Sequence, residues 1–317
     1  MKGQDNIIEL EHLFRYYGNF CALKDVSIKI KRGAFGLLGP NGAGKTTTIS
    51  ILAGLLKPHY GTIKMFGGLD YYKDGIEIRQ KIGFLPERNF ILLNLTARKF
   101  LMLIGRLYGI SKSELKNDVD EILKFVGLNE WKDKPAAKFS GGMRQRLGLA
   151  GALINRDAEL YFFDEPTSNM DPIGRSEILD KIKELVKLGK SFIYCSHILP
   201  EVERVCNNVA IMNEGQIVAS GKINKLSQKL AKNLFKIKVS DQNLLFDKLS
   251  EEIELTITND QEDYITFECD NPEFIFKNIS RIVSENNIKL YHFETVQLTL
   301  EEIFKKLVVD EESSNEN

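Results

Sequence analysis

Residues Gly39-Pro40-Asn41-Gly42-Ala43-Gly44-Lys45-Thr46-Thr47 constrain this chain more tightly than any other stretch. Two glycines separated by four residues and followed by Lys and Thr make a loop whose backbone N–H groups wrap phosphates. Such a loop works between a buried strand and a helix N-terminus, where amides and helix dipole face the anion together. The flanks comply. Gly36-Leu37-Leu38 reads as the end of a buried strand, and Thr46 to Leu56 has the composition of the helix that must follow. A nucleotide-binding α/β sheet is the expected frame.

At 317 residues with 43% hydrophobic content, the chain has material for about two globular domains. Forty-three basic against 44 acidic residues give a formal charge of −1, so no excess positive field points to nucleic acid as a partner. Cys21, Cys195, Cys206 and Cys269 show no paired metal spacing and are too few for a disulfide framework, which predicts reduced thiols in the cytoplasm. Apolar runs such as Phe100 to Ile104 and Leu160 to Phe163 fall far short of the roughly 18 residues that span a bilayer. The first residues lack the apolar core of a secretion signal. The expectation is a chain with no anchor of its own, whose membrane role, if any, runs through a partner.

Ile7 to Phe14 and Leu23 to Ile30 alternate with period two and predict a hairpin, with Tyr17-Gly18-Asn19 in the connection. Thr96 to Lys138 turns helical. There Ser111 and Glu114 predict a capping box, Ile110 and Leu115 a hydrophobic staple, and Gly127 a stop. Leu115, Val119, Ile122 and Val126 recur on one face. A helical subdomain, about 90–140, is thus expected between two halves of the sheet. Leu160 to Phe163 and Ser191 to Cys195 read as buried strands flanking a helix with Ile178, Ile182 and Leu185, and this alternation argues for a largely parallel sheet. Residues 221–230 are Lys-rich and polar and read as a linker. Beyond them the order strand, helix, strand, strand, helix, strand (234–239, 243–249, 253–258, 264–269, 273–285, 289–293) predicts a ferredoxin-like α+β domain. A last helix capped by Thr299 and Glu302 precedes 310–317, expected to be a disordered acidic tail. The division expected is 1–225, 226–309 and that tail.

The chemistry follows from residue types. Lys45 should reach the β- and γ-phosphates, Thr46 should place its hydroxyl on Mg²⁺, and the amides from Gly42 to Thr47 should sit at a positive helix end. Tyr161-Phe162-Phe163-Asp164-Glu165 sets two carboxylates at the end of an apolar strand, where such sheets present ligand groups. Asp164 would hold Mg²⁺, through water. Glu165 is the candidate general base for the water that attacks phosphorus; a strand end that merely caps the next helix is the plainer alternative.

With Phe139-Ser140-Gly141-Gly142-Met143-Arg144-Gln145-Arg146 in view, residues 5 to 225 resemble an ATP-binding cassette (ABC) transporter ATPase. The family signature usually begins Leu-Ser-Gly-Gly-Gln; here Phe139 and Met143 replace Leu and Gln. The resemblance implies a P-loop NTPase cassette with a mixed sheet and a helical subdomain, binding ATP and Mg²⁺. By it Ser140, Gly141 and Gly142 form a second anion site that serves the opposite subunit, and Asp171 lies in the loop crossing the interface. His197 would contact the γ-phosphate and order the attacking water, and Tyr17 would stack on adenine, although Tyr16 is adjacent and could be the stacker. Glu87 stands where the family commonly has Gln and would offer its oxygen to the metal.

The implied function is an ATP-hydrolysing subunit that dimerises around two ATP, with an identical copy or a sister cassette, on the cytoplasmic face of the cell membrane. A separate transmembrane permease would dock near Phe90 to Leu107. The C-terminal region and its Leu300-Glu301-Glu302-Ile303-Phe304 resemble exporter ATPases for drugs, antibiotics or lipids. A soluble cassette acting on ribosomes or nucleic acid is the alternative. A dead regulatory module is a third, set against the presence of Lys45, Asp164, Glu165 and His197.

Overall fold

Alternating apolar residues zip β1 (Asn6–Tyr17) to β2 (Phe20–Lys31) as an antiparallel hairpin, with Ile8 opposite Ile30 and Leu10 opposite Ile28. The computed structural model describes residues 6–231, 233–261, 264–269 and 271–309, so the expected tail at 310–317 lies outside the described residues. Two compact units result, one running through Ile223 and including the residues from Lys306, the other Asn224–Lys305. Tyr17, placed in the connection by sequence, instead ends β1 and pairs with Phe20.

In the first unit β3 (Ala34–Leu38) enters the phosphate loop and α1 (Lys45–Leu52) leaves it. The helix stops four residues short of Leu56, because Gly54 takes φ +80° and turns the chain out. Then come β4 (Tyr60–Met65), β5 (Leu69–Asp70), α2 (Gly75–Gln80) and β6 (Ile82–Leu85). The helices α3 (Ala97–Leu107), α4 (Lys112–Phe125) and α5 (Gly141–Leu153) separate β6 from its parallel neighbour β7 (Leu160–Asp164). The chain continues through α6 (Pro172–Lys187), β8 (Ser191–Cys195), α7 (Leu199–Val205), β9 (Asn208–Asn213) and β10 (Gln216–Lys222).

Two sheets form in this unit. The antiparallel one is ordered β2-β1-β4-β5, and the larger is ordered β10-β9-β3-β8-β7-β6, parallel except for β10. A shared core of Ile8, Leu10, Ile49, Ile51, Phe162 and Ile193 is buried between them. In the larger sheet Leu37 and Asp164 both lie opposite Cys195, so three strands deliver their carboxyl ends in one row. That row is where an open α/β sheet binds ligand.

The helical subdomain follows its sequence signals. Ser111 Oγ accepts from the Glu114 N–H and the Glu114 carboxylate accepts from the Ser111 N–H, closing the capping box of α4. Leu115, Val119 and Val126 are fully buried, and Gly127 follows at φ +74°.

The stretch 221–230, read as a polar linker, is instead the end of β10 and the helix α8 (Ile223–Leu230). Ile223 and Ser227 are buried, with Leu226 and Leu230 half-buried; the 3.6-residue spacing persists among the lysines that mask it in composition. The second unit then runs β11 (Leu234–Val239), α9 (Gln242–Ser250), β12 (Leu255–Gln261), β13 (Tyr264–Cys269), α10 (Pro272–Glu285) and β14 (Leu290–Thr295). Its antiparallel sheet is ordered β12-β13-β11-β14, the ferredoxin-like arrangement. Phe235 stacks between Phe267 and Phe293, at 5.5 and 5.6 Å between centroids, over a core with Ile275, Ile279 and Leu249. The short α11 (Leu300–Phe304) begins at the expected Thr299–Glu302 capping box.

Candidate functional site

The loop from Gly39 to Gly44 owes its course to its glycines. Gly44 takes φ +101°, and a Cβ there would lie 2.7 Å from Leu23 Cδ2; one on Gly39 would lie 2.4 Å from the Met212 carbonyl. No side chain caps the N-terminus of α1, which leaves its first amides facing the loop. Lys45 Nζ donates to the carbonyls of Gly39 and Pro40 at 2.7 and 2.9 Å.

Across from the loop stands the end of β7. Asp164 is 4% exposed, and its Oδ2 accepts from Thr46 Oγ1 at 3.0 Å. Burial pushes its pKa up to about 6; the Thr46 hydroxyl and Lys45 oppose the rise, while Glu87 and Glu165 add to it. Glu165 turns out of the strand with φ +52°, in the left-handed region. Its Oε1 lies 2.9 Å from the His197 backbone N–H and 2.9 Å from His197 Nδ1, and its Oε2 is 3.5 Å from Ser196 Oγ.

Of the residues singled out from sequence, Asn41, Lys45, Thr46, Glu87, Asp164, Glu165 and His197 line one pocket of about 510 Å³. Arg88, Ser168 and Asn169 join them, the last two from the segment Pro166 to Asp171 that follows the paired carboxylates, and Asn169 sits at φ +59°. The signature residues are not in this lining. Ser140 caps α5, accepting from the Met143 N–H at 3.2 Å, and Asp171 caps α6, accepting from the Gly174 N–H at 2.9 Å. Gly141 and Gly142 pack behind Asn169, where a Cβ on Gly142 would come 3.1 Å from the Asn169 carbonyl. At the far end of β1, Tyr17 is 46% exposed with the Arg15 guanidinium 4.9 Å over its ring, while Tyr16 stands edge-on to His59.

Sequence reasoning missed Gln145 and Asn89. Gln145 is buried in α5 and bonds both Asn89 and the Glu165 backbone. Its partners lie 56 and 20 residues away, beyond the reach of any local pattern.

A second, apolar groove of about 410 Å³ opens between the sheet and the helical subdomain, lined by Phe84, Asn89, Phe90, Phe100, Ile104 and Leu107 among others. Phe90 there is 90% exposed.

Comparison with known proteins agrees with this geometry. A family model described as ABC transporter matches residues 23–168. The chain is 41% identical over 239 residues to the bacitracin transport ATP-binding protein BcrA of Bacillus licheniformis, covering 75% of this chain and 76% of that protein. It is 29% identical over 317 residues to the daunorubicin/doxorubicin resistance ATP-binding protein DrrA of Streptomyces peucetius, covering 98% and 95%. Among solved structures, a dimeric post-hydrolysis ATP-binding cassette, MJ0796 bound to ADP and Pi, superposes with a TM-score of 0.63 at 25% identity, over 68% of this chain and 98% of that one.

Proposed function

The chain belongs to the ABC transporter family as an ATP-binding ATPase subunit, and from that premise we propose that it powers a separate exporter permease through an ATP-gated pair of cassettes. One observation carries the shared-site reading. The pocket gathers Asn41, Lys45, Thr46, Asp164, Glu165 and His197, whereas Ser140, Gly141, Gly142 and Asp171, the contacts that the family resemblance assigns to the opposite subunit, are not in its lining, and Ser140 and Asp171 serve as helix caps. A signature outside the pocket of its own phosphate loop supports the reading that it closes on a triphosphate held by the partner.

Within each pocket the roles divide by chemistry. Lys45 exchanges the Gly39 and Pro40 carbonyls for β- and γ-phosphate oxygens, and the α1 amides with Gly42 to Thr47 cradle the rest. Thr46 and Asp164 fit Mg²⁺: a hydroxyl and a carboxylate are hard donors, and a carboxylate whose charge burial disfavours gains most from a cation. Mg²⁺ held there would neutralise charge developing on the phosphates. Glu87, exposed at the pocket rim, is a further oxygen for that ion. Glu165 takes the proton of the attacking water, with His197 and Ser196 fixing its direction. Tyr17 offers the exposed ring for adenine.

The apolar groove with Phe90, Phe100 and Leu107 supports docking of a permease segment between the sheet and the helical subdomain. No helix among the described residues is long and apolar enough to cross a membrane. Attachment to the cytoplasmic face of the membrane would therefore come through that partner. The export direction is favoured by the likeness to DrrA, a drug resistance protein, which extends across the ferredoxin-like unit.

The test is ATP-dependent association. The Glu165→Gln chain, mixed with ATP and Mg²⁺, should double in mass by light scattering and return to monomer when nucleotide is removed. A monomer at saturating ATP would overturn a pocket shared between two like copies.

A further inference from the structure

Gln145 is 3% exposed, sits on α5 five residues beyond Ser140, and uses both ends of its amide. Its Nε2 donates to the backbone carbonyl of Glu165 at 2.9 Å, and its Oε1 accepts from Asn89 Nδ2 at 2.6 Å. The orientation is dictated by chemistry. A backbone carbonyl can only accept, so Gln145 must turn its NH₂ to Glu165 and its oxygen to Asn89, and Asn89 must then donate. The packing is equally specific: a Cβ on Gly148 would meet the Asn89 side chain at 2.6 Å, so the glycine lets that amide lie against α5.

What Gln145 holds is a backbone that would not hold itself. A non-glycine residue at φ +52° is strained and persists only where its surroundings over-determine it. Glu165 donates its N–H to the Cys195 carbonyl at 2.9 Å, and its own carbonyl also receives the Ser168 N–H at 3.2 Å. Both of those bonds come from backbone at the strand exits. The Gln145 bond comes from the helix that also carries Ser140. Asn89 lies in turn on the wall of the apolar groove, as does Gly148.

We propose that the Asn89–Gln145 amide pair is a positioning element that keeps Glu165 in its left-handed conformation, and so makes the aim of the catalytic carboxylate depend on the groove at Asn89 and on α5. This rests on the reading of Glu165 as general base. A permease segment entering the groove, or a partner's triphosphate meeting Ser140, then acts on hydrolysis through an amide that touches neither nucleotide nor water. Neither residue carries catalysis itself.

Steady-state hydrolysis of ATP by the full chain, in a four-protein cycle of wild type, Gln145→Glu, Glu165→Gln and the double variant, tests the pair. Gln145→Glu keeps the shape but sets an oxygen against the Glu165 carbonyl. The expected result is a loss of kcat of about ten- to a hundredfold, the scale of a small misplacement of a reacting group, with KM for ATP little changed. In the Glu165→Gln background the same substitution should change the residual rate by less than about twofold, since no base remains to be misaimed. An equal loss in both backgrounds would mark a merely structural role and overturn the proposal, as would an unchanged kcat. Near-normal turnover of Glu165→Gln alone would instead overturn the base assignment, an outcome read from a different protein in the set.

Asn89→Asp provides a second variant at a half-buried position, should Gln145→Glu fail to fold. It replaces the donor by acceptors, draws the Gln145 NH₂ away from Glu165, and should lower kcat by about tenfold. Wild-type kcat for this variant would likewise overturn the pair.

Discussion

A single oxygen of Glu165, Oε1, lies 2.9 Å from the His197 backbone N–H and 2.9 Å from the His197 ring at Nδ1. The other oxygen, Oε2, is 3.5 Å from the Ser196 hydroxyl and, in the reading of Glu165 as base, is the one offered to water. Glu165→Gln keeps an acceptor on His197 and removes the basicity. Its kcat should fall by about two to four powers of ten, the range for loss of a general base, while ATP affinity by equilibrium binding stays at the wild-type value. Turnover within a factor of a few of wild type would remove Glu165 from the mechanism.

Asp164 makes a pH prediction whose sign follows from burial. Its folded pKa of about 6 lies above the unfolded value of about 4, so between those values the native state holds a proton that the unfolded chain has released. This group's contribution to stability therefore falls as pH rises through that window. Asp164→Asn, which carries no charge to bury, should raise the Tm of the nucleotide-free chain at pH 7.5 by on the order of 2–6 °C and have little effect at pH 4.5. Mg²⁺-dependent ATP binding should weaken in the wild type as pH drops below about 6, because the proton then competes with the metal. A variant no more stable than wild type at pH 7.5 would mean that burial does not govern this carboxylate.

The site was legible in sequence where chemistry is local. The phosphate loop lies between β3 and α1 as its glycines demand, and Asp164 with Glu165 ends a strand because Leu160 to Phe163 can only be buried. The succession of strands and helices read over 234–293 likewise matches the element order β11-α9-β12-β13-α10-β14. Legibility failed where a residue's role depends on distant partners. The lysines around Ile223 and Leu226 hid the helix α8, and nothing near Gln145 announces that its amide joins Asn89 to Glu165. The left-handed turn at Glu165 was hidden too, since side-chain type alone does not reveal φ.

Complementation tests the shared pocket. Lys45→Ala disables the phosphate loop, and Ser140→Arg fills the signature, so each alone should be nearly inactive. In a mixed dimer one composite pocket pairs an intact Lys45 with an intact Ser140 and the other loses both. Random pairing of equal amounts should then restore on the order of a quarter of the wild-type pockets, provided the two copies associate with two-fold symmetry. Phosphate release by the mixture that merely equals the sum of the separate proteins would place each pocket within one chain.

Beneath the pocket a buried carboxylate ties the segment after Glu165 to the helix after His197. Glu201 is 6% exposed on α7, and its Oε2 accepts from Thr167 Oγ1 at 2.6 Å and from the Tyr194 hydroxyl at 2.9 Å. Burial pushes the Tyr194 phenol well above its ordinary range, and Glu201 beside it adds to the rise, so the phenol keeps its proton and remains a donor. Thr167→Val preserves shape but withdraws a hydroxyl donor from a carboxyl group that water scarcely reaches. The unmet desolvation should cost about 1–3 kcal/mol in urea unfolding, with the slope unchanged. Tyr194→Phe should cost a similar amount, and combining the two should cost more than their sum, because both hydroxyls that donate to Glu201 Oε2 are then gone. Strict additivity would show that the two hydroxyls serve the carboxylate independently.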